Sequence, residues 1–264
     1  MNTEIFQASR KMMSDAKFFM DYSRWNDDLG RYENWNEAVA RVMNMHREKY
    51  KSVMTPELEE LIDFAQKAYE DKLTLGSQRA LQFGGEQIFK HPSKLYNCSA
   101  SYVDRPRFFQ EAMYLLLAGC GVGFSVQRHH VAKLPSLKQP NAYDCAVHFV
   151  EDSIEGWSDA FGVLLSSYFT ADAPFPSYSG KVVYFNVTKI RPKGAKISGG
   201  FKAPGPDGLV RSLEKCRQLL DSIVENANGD HVRMRPIHAY DYVMHMADAV
   251  LSGGIRSAAT ICIF

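Results

Sequence analysis

Two short stretches of this sequence combine residue types that could do chemistry. The first is Asn97-Cys98, where a lone cysteine could serve as a redox thiol if a second cysteine and a reductant were available. The second is AGCGVGFSVQRHH at 118–130, where three alternating glycines precede a cationic run. Glycine lets a backbone come close to a ligand, and clustered cations favour an anion. Together the stretches indicate a ligand that approaches the main chain closely.

Each stretch also has a purely structural interpretation. A lone cysteine is most often a small core residue. The glycines could form a helix C-terminus that leads into a strand, which would leave Arg128, His129 and His130 as an ordinary solvated strand end. A dinucleotide fingerprint, GxGxxG, fits poorly because Phe124 occupies its last position. The residues alone leave these alternatives open.

Two other glycine-rich segments invite the same comparison. The segment 190–207 sets basic residues among glycines and prolines, which suits either a phosphate-binding loop or a flexible surface loop. The segment 252–257 carries one arginine and links a predicted helix to the last predicted strand. It could equally be a helix C-cap.

Composition restricts the class of protein. The 264 residues could make one or two domains, and 31 basic against 30 acidic residues give a net charge of +1. We therefore expect no nucleic-acid partner and no membrane association. Five dispersed cysteines without zinc spacing predict a reducing compartment and no metal site in this chain. No apolar run reaches the roughly 18 residues of a membrane span, so a cytoplasmic location is expected.

The elements that would position these residues follow from periodicity. The first 75 or so residues are predicted to be helical, with one helix over 35–46 and another beginning at Thr55-Pro56-Glu57. Beyond Gly76, helical patterns alternate with strands, which favours a mainly parallel α/β sheet. The predicted strands lie at 97–103, 121–127, 181–187 and 258–264. The last one is strongly apolar and would form an open edge, so the sequence looks incomplete.

A series of short stretches occurs in one order along nearly all 264 residues. They are YSRW at 22–25, ENW at 33–35, NC at 97–98, GVGFSV at 121–126, EGW at 155–157, IRP with GA at 190–195, GP at 205–206 and SGGIR at 252–256. This ordered set resembles the N-terminal part of the large catalytic subunit of ribonucleotide reductases. It is most similar to the adenosylcobalamin-dependent (class II) ribonucleoside-triphosphate reductases.

The resemblance implies an α/β fold in two regions. Residues 1–75 would form an N-terminal helical region. Residues 76–264 would form the first half of a ten-stranded α/β barrel, a parallel five-stranded half with crossover helices and the effector-specificity loops. The other half would lie on a complementary C-terminal chain or on the remainder of a truncated protein, and this chain alone would be inactive.

The resemblance also implies thiyl-radical reduction of ribonucleotides to deoxyribonucleotides for DNA synthesis. Cys98 matches one of the two cysteines that reduce the ribose 2′ position while forming a disulfide, and its thiol should be sheltered from water. Adenosylcobalamin, held mainly by the missing portion, would generate the radical, and a thioredoxin-type reductant would restore the thiols. The implied substrate-binding residues are Ser77, Gln78, Asn97, Gly121 and Gly123.

An allosteric deoxynucleoside triphosphate (dNTP) is the implied effector. Arg128 matches the start of the first specificity loop, where His129, His130 and Lys133 could add positive charge. Ser257 stands where the family usually has a second arginine, a departure that bears on substrate-base contacts or effector coupling. The effector-binding residues implied by the resemblance are Asp104, Arg128, Ser252, Gly253, Gly254 and Arg256.

Other functions stay open at this point. The chain could be a non-catalytic nucleotide-binding or assembly module that keeps only the effector site. A stand-alone nicotinamide-dependent oxidoreductase would depend on the glycines alone. The choice between di- and triphosphate substrates, the choice between class II and class I radical generation, and the formation of a homo-oligomer are also left open.

Overall fold

The computed structural model describes residues 3–195, 202–226, 232–251 and 259–264. Within these ranges the chain divides into two compact units, the first ending at Tyr96 and the second beginning at Asn97. The division expected from the sequence, a helical region at 1–75 and a half-barrel at 76–264, stays a prediction.

The first unit is built almost entirely from helices. Its elements are α1 (Thr3–Asp21), β1 (Trp25–Asn26), β2 (Arg31–Tyr32), α2 (Trp35–Tyr50), α3 (Pro56–Glu70), α4 (Gln78–Phe83) and α5 (Glu86–Lys90). The two short strands pair antiparallel. The core of the unit is formed by Phe18, Ala38, Val39, Val42, Met43, Ile62, Tyr69, Ala80 and Leu81.

The helix starts of this unit confirm the capping signals in the sequence. Thr55 is the N-cap of α3, its hydroxyl accepts a hydrogen bond from the Leu58 amide at 3.2 Å, and Pro56 takes the first helical position. Asn34 caps α2 in a reciprocal capping box with Glu37. Both helices therefore begin where side chains satisfy their unpaired amides.

The second unit alternates strands with helices. Its strands are β3 (Cys98–Tyr102), β4 (Gly121–Ser125), β5 (Asn141–Phe149), β6 (Lys181–Asn186) and β7 (Thr260–Ile263). Its helices are α6 (Arg107–Leu117), α7 (Arg128–Val131), α8 (Ile154–Tyr168), α9 (Asp207–Glu225) and α10 (Pro236–Leu251). The strands form two sheets, one in the order β3-β4-β7 and one that pairs β5 with β6, and both sheets are parallel.

The hydrophobic core of this unit lies between the three-stranded sheet and its helices. Helix α8 is at its centre and is buried from Gly156 to Tyr168 except at Asp159. Val122 and Phe124 of β4 point into this core. Because side chains alternate along a strand, the residues between them face the other side of the sheet.

The predicted mixed α/β class with a parallel sheet is confirmed, and all four predicted strands are present. Two details differ. Strand β5 was not predicted because its residues, NAYDCAVHF, are largely polar or small and mostly exposed. The structural alternative in which Arg128 to His130 form a solvated strand end is wrong, because β4 ends at Ser125 and these residues begin α7.

Candidate functional site

Cys98 lies on the exposed face of the three-stranded sheet. The parallel register pairs Cys98 with Gly121 and Ala100 with Gly123, and Gly123 is paired in turn with Ile261. Residues paired in this way project from the same side of a sheet. Cys98 and Ala100 are exposed, and Ile261 is 72% exposed. This face, called the open face below, thus presents one thiol beside two glycines.

The thiol of Cys98 is exposed among the described residues, which differs from the shelter that the resemblance implies. The physical reason is local, since nothing in the three strands covers the start of β3. The carbonyl of Asn97 accepts a hydrogen bond from the Gly121 amide at 2.8 Å, which fixes the main chain just before the thiol. Cys120 is buried, and Cys262 lies in the register opposite Phe124, on the core face. Among the described residues of this sheet, Cys98 is therefore the cysteine that lies on the open face.

Glycine occupies three positions of the 118–130 segment, and the structure requires it at only one of them. Gly119 follows α6 with φ +82°, and its amide bonds to the Leu116 carbonyl at 2.9 Å, as expected of a helix C-cap glycine. Gly121 and Gly123 have no such backbone requirement. An added Cβ would meet only ordinary contacts, at 3.5 Å from the Asn97 oxygen and 3.4 Å from the Ser99 oxygen respectively. The fold itself thus accepts side chains at both positions.

Alanine variants of Gly119 and Gly123 should separate a glycine needed by the backbone from a glycine needed by a ligand. Gly123→Ala is expected to keep or raise the melting temperature, since alanine restricts the unfolded chain. If Gly123 contacts substrate as the resemblance implies, the variant should also weaken nucleotide binding by about tenfold, the usual cost of one methyl group too many in a fitted site. Gly119→Ala should do the reverse, lowering stability through its positive φ while leaving affinity unchanged. Calorimetric unfolding and nucleotide titration of both variants would show this, and unchanged affinity in Gly123→Ala would contradict it.

A polar cluster lies where β3 and β4 end. The His130 ring packs on Tyr102 with centroids 4.5 Å apart, and its Nδ1 lies 3.0 Å from the Ser125 Oγ. Asp104 pairs with Arg105 at 2.8 Å and lies 3.9 Å from the Lys133 ammonium. The carboxyl ends of neighbouring parallel strands are where α/β proteins usually bind ligands. This carboxyl-end cluster therefore continues the open face into a charged rim.

The cluster contains Asp104, which the resemblance assigned to the effector, and Arg128, assigned likewise, lies two residues before His130 at the start of α7. Arg128 is exposed at the start of α7 and its guanidinium makes no ion pair with the described residues. Partial burial lowers the pKa of His130, and the neighbouring His129 and Lys133 lower it further while Asp104 opposes them. His130 is therefore mostly neutral at pH 7 without a ligand.

Sequence reasoning missed Tyr102 and Ser125, which hold His130 in place. The signal was available in the strand register, because Tyr102 lies four residues after Cys98 and Ser125 two residues after Gly123, on the same face. An alternation argument extended to the strand ends would have found them.

Ser77 and Gln78 lie in the first unit, which is described by itself. The Ser77 hydroxyl caps α4 by accepting a hydrogen bond from the Ala80 amide at 3.4 Å. The Gln78 side-chain oxygen accepts a hydrogen bond from the Tyr22 hydroxyl at 3.1 Å. Both residues thus have defined local positions, and their contact with substrate stays a prediction.

Two arginines hold the other end of this short helix. Arg24 donates to the Gly84 carbonyl at 2.9 Å, and Arg41 donates to the Leu81 carbonyl at 2.9 Å. Glu33 pairs with Arg41 through two hydrogen bonds of 2.8 and 2.9 Å. Burial, followed by repulsion from Arg41, lowers the pKa of Arg24 to about 10. Arg24, Arg41 and Glu33 are called the arginine clamp below. Arg24 belongs to the YSRW stretch and Glu33 to the ENW stretch named in the sequence analysis.

The second specificity loop cannot be placed. Ser252, Gly253, Gly254, Arg256 and the departing Ser257 all lie outside the described residues. In the described ranges, no three His, Cys, Asp or Glu side chains group closely enough to hold a metal ion. Within the same ranges, no helix combines the length and hydrophobicity needed to cross a membrane.

Comparisons with known proteins found similar sequences and a similar fold. The chain is 27% identical over 301 aligned positions to the adenosylcobalamin-dependent ribonucleoside-triphosphate reductase of Lacticaseibacillus paracasei, covering 90% of this chain and 39% of that protein. The protein of the same description from Lactobacillus leichmannii is 25% identical, covering 92% of this chain and 39% of its own length. No protein-family model matches the chain. A solved B12-dependent (class II) ribonucleotide reductase aligns with 94% of this chain and 41% of its own, with a TM-score of 0.72 and 23% identity.

The fold is therefore that of a class II ribonucleotide reductase over the part compared. In sequence, the chain is similar to the adenosylcobalamin-dependent ribonucleoside-triphosphate reductases, which confirms the resemblance drawn from its motifs. It spans about two-fifths of the length of these relatives, 39% in both.

Proposed function

We propose that this chain is the N-terminal portion of a ribonucleotide reductase that forms deoxyribonucleotides for DNA synthesis. It would work together with a C-terminal portion, carried by the same or a separate polypeptide. The observation that carries the proposal is the register that places Cys98 opposite Gly121 and next to Gly123 on the open face. These glycines leave room for a sugar to approach the thiol, and the fold accepts larger residues at both positions.

The proposed chemistry for Cys98 is reduction of the ribose 2′ carbon. Cys98 and a second cysteine of the C-terminal portion give up two hydrogen atoms and form one disulfide. The ribonucleotide loses its 2′ hydroxyl as water and takes up hydrogen at that carbon, so atoms and electrons balance. A thioredoxin-type dithiol would then reduce the disulfide by thiol exchange. The exposed position of Cys98 suits contact with both partners.

The open face suits one wall of a larger site. We infer that the two parallel sheets belong to the first half of a ten-stranded barrel, so that the remaining strands would cover Cys98 and exclude water. On this face Cys98 and Ala100 are exposed and Ile261 is 72% exposed, so the described strands supply one wall of a corrin site at most. We accordingly assign adenosylcobalamin to the C-terminal portion. Exposed free thiols at Cys98 and Cys145 suit the reducing environment of a cytoplasm.

The carboxyl-end cluster is proposed to bind the phosphates of a dNTP effector. Arg128 offers an exposed guanidinium without an ion pair among the described residues, and Lys133 and the two histidines add further donors. Asp104 is held by Arg105 at 2.8 Å through Oδ1, and its Oδ2, which lies 3.9 Å from the Lys133 ammonium, would accept from a sugar hydroxyl of the effector and not from its phosphates. Base recognition through 252–258 remains part of the proposal.

Effector binding should therefore depend on pH through His130. Its pKa is lowered in the free chain, and a phosphate beside the ring would favour the protonated imidazole, so affinity should rise as pH falls from 7.5 toward 6. The slope should not exceed about tenfold per pH unit for one proton. Calorimetric titration with a dNTP would measure it. His130→Gln should flatten the curve, whereas an identical slope in that variant would exclude this role.

Reconstitution tests the proposed function directly. The chain should be mixed with the C-terminal reductase portion from the same organism, adenosylcobalamin, a dithiol and a ribonucleoside triphosphate. We expect the deoxynucleotide to form only when both portions are present. Effector binding without any product in this mixture would instead support the non-catalytic nucleotide-binding module.

A further inference from the structure

One cavity of the first unit is mainly apolar. It lies between α2 and α3, beside the segment 74–77 that leads into α4. The apolar residues that line it are Val42, Met43, Met45, Ala65, Ala80 and Leu95. Its volume is about 430 Å³, whereas a cavity of about 150 Å³ already holds benzene. It therefore has room for a molecule of two fused rings.

The described walls of this cavity contain no Asp, Glu, Lys or Arg. Their polar groups belong to His46, Tyr69, Thr74 and Ser77. The Ser77 hydroxyl already accepts a hydrogen bond from the Ala80 amide at 3.4 Å. An ionised ligand would lose its hydration here without an opposite charge to replace it. The lining therefore selects a neutral ligand.

Tyr69 supplies an unused hydrogen-bond donor. Its side chain is only 4% exposed, and its hydroxyl has no hydrogen-bond partner among the described residues. Burial raises the pKa of this hydroxyl, so it stays protonated at neutral pH. The Gly76 amide opposes the shift, but an amide is itself a donor and offers the hydroxyl proton no acceptor. Buried polar groups are nearly always hydrogen-bonded, so this one calls for an acceptor that the described residues do not provide.

The hydroxyl end of Tyr69 lies at the wall of the cavity. A Cβ built on Gly76, another lining residue, would be 3.2 Å from the Tyr69 Cε1 and 3.6 Å from its Oη. The Tyr69 ring is held edge-on to Trp35, with ring centroids 5.5 Å apart. Met43 and Met45 line the same cavity, and thioethers make favourable contacts with aromatic rings. A flat aromatic molecule with one acceptor atom would therefore meet both a fixed donor and suitable apolar contacts.

We propose that this cavity is a binding site for a neutral aromatic heterocycle. A ring nitrogen or carbonyl oxygen of the ligand accepts a hydrogen bond from the Tyr69 hydroxyl, and its rings contact Met43 and Met45. Phosphate takes no part in recognition, since the described walls contain no Lys or Arg. The site lies within the first unit, and binding there does not depend on the reductase assignment.

The test is a nuclear magnetic resonance titration of the full chain, labelled with ¹³C at its methionine methyl groups. The probes are quinoline, whose ring nitrogen is an acceptor, and naphthalene, which has the same shape without an acceptor. Quinoline should shift the signals of Met43 and Met45, which line the cavity. It should leave the signals of Met12 and Met20 unchanged, because both are exposed on α1.

Tyr69→Phe separates the hydrogen bond from the shape of the cavity. It should weaken quinoline binding by about five- to tenfold, the worth of one neutral hydrogen bond, and leave naphthalene binding unchanged. The melting temperature should stay equal or rise, because the variant removes a buried hydroxyl that has no partner among the described residues. Tyr50→Phe is the matched control, since Tyr50 is 46% exposed on α2 and does not line the cavity. It should change neither affinity.

Ala65→Leu and Ala68→Leu test the location of the site. Both alanines are partly exposed on α3, but only Ala65 lines the cavity. Ala65→Leu should fill the space and abolish binding of both probes, whereas Ala68→Leu should retain it. Equal quinoline affinity in Tyr69→Phe would show that the hydroxyl binds water alone and would overturn the proposal. Failure of both probes to bind, or equal effects of the two leucine variants, would overturn it as well, whether or not reconstitution succeeds.

Discussion

Cys98→Ser should abolish deoxyribonucleotide formation in the reconstituted enzyme, with a loss of at least about 10³-fold in kcat. A hydroxyl cannot form the disulfide that stores the two electrons released to the sugar, and removing one member of a catalytic unit typically costs this much or more. The fold should not suffer, because the side chain lies on the open face and makes no buried contact in the three-stranded sheet. Product formation measured by chromatography, with the melting temperature alongside, would show both effects.

Cys145→Ser is the matched control for this prediction. Cys145 is also exposed and lies on a strand of the second unit, but its sheet pairs β5 with β6. It should retain full activity. Equal losses in both variants would indicate a general sensitivity to thiol removal, and full activity in Cys98→Ser would contradict the proposed role.

Glu33→Gln should destabilise the first unit by about 3 kcal/mol, the lower end of the cost of breaking a buried ion pair. The side chains of Glu33 and Arg41 are only 10% and 16% exposed. Without the carboxylate, the guanidiniums of Arg24 and Arg41 would face each other with little solvent between them. Arg24 already has a lowered pKa of about 10 from burial and from this neighbour. The melting temperature of the unit should fall by more than about 10 °C.

Asp63→Asn provides the comparison. It breaks the ion pair between Asp63 and Arg47 at 2.5 Å, but Asp63 is 65% exposed. Exposed pairs contribute about 0–1 kcal/mol, so the melting temperature should barely change. Circular dichroism of the full chain during heating would compare the two variants. Equal shifts would show that the arginine clamp is not a special source of stability.

Much of the fold could be predicted because local signals were strong. Thr55 and Pro56 marked a helix start, and a left-handed Gly119 marked a helix end. Strand β5 was hidden, since a mostly exposed strand lacks the apolar run that identifies buried ones. Helix α7 was not predicted because the apolar alternation of β4 continues to Val126, whose amide still bonds to the Ile263 carbonyl at 2.9 Å, and no capping side chain marks the helix start at Arg128.

The candidate site divides in the same way. The resemblance pointed to Cys98, Gly121 and Gly123, but only the strand register could show that they share one face. The support from Tyr102 and Ser125 for His130 depends on contacts between strand ends and a later helix, which no local pattern encodes. Likewise, the different roles of Gly119, Gly121 and Gly123 can be recognised only once φ and the space around each residue are known.

The most direct measurement is the redox state of Cys98 after a single turnover without external reductant. Reconstituted enzyme and one equivalent of ribonucleotide would be quenched, alkylated and mapped by mass spectrometry. We predict that Cys98 is found in a disulfide with a cysteine of the C-terminal portion, in an amount equal to the deoxynucleotide formed. Deoxynucleotide formation with Cys98 still fully alkylated as a free thiol would contradict the account.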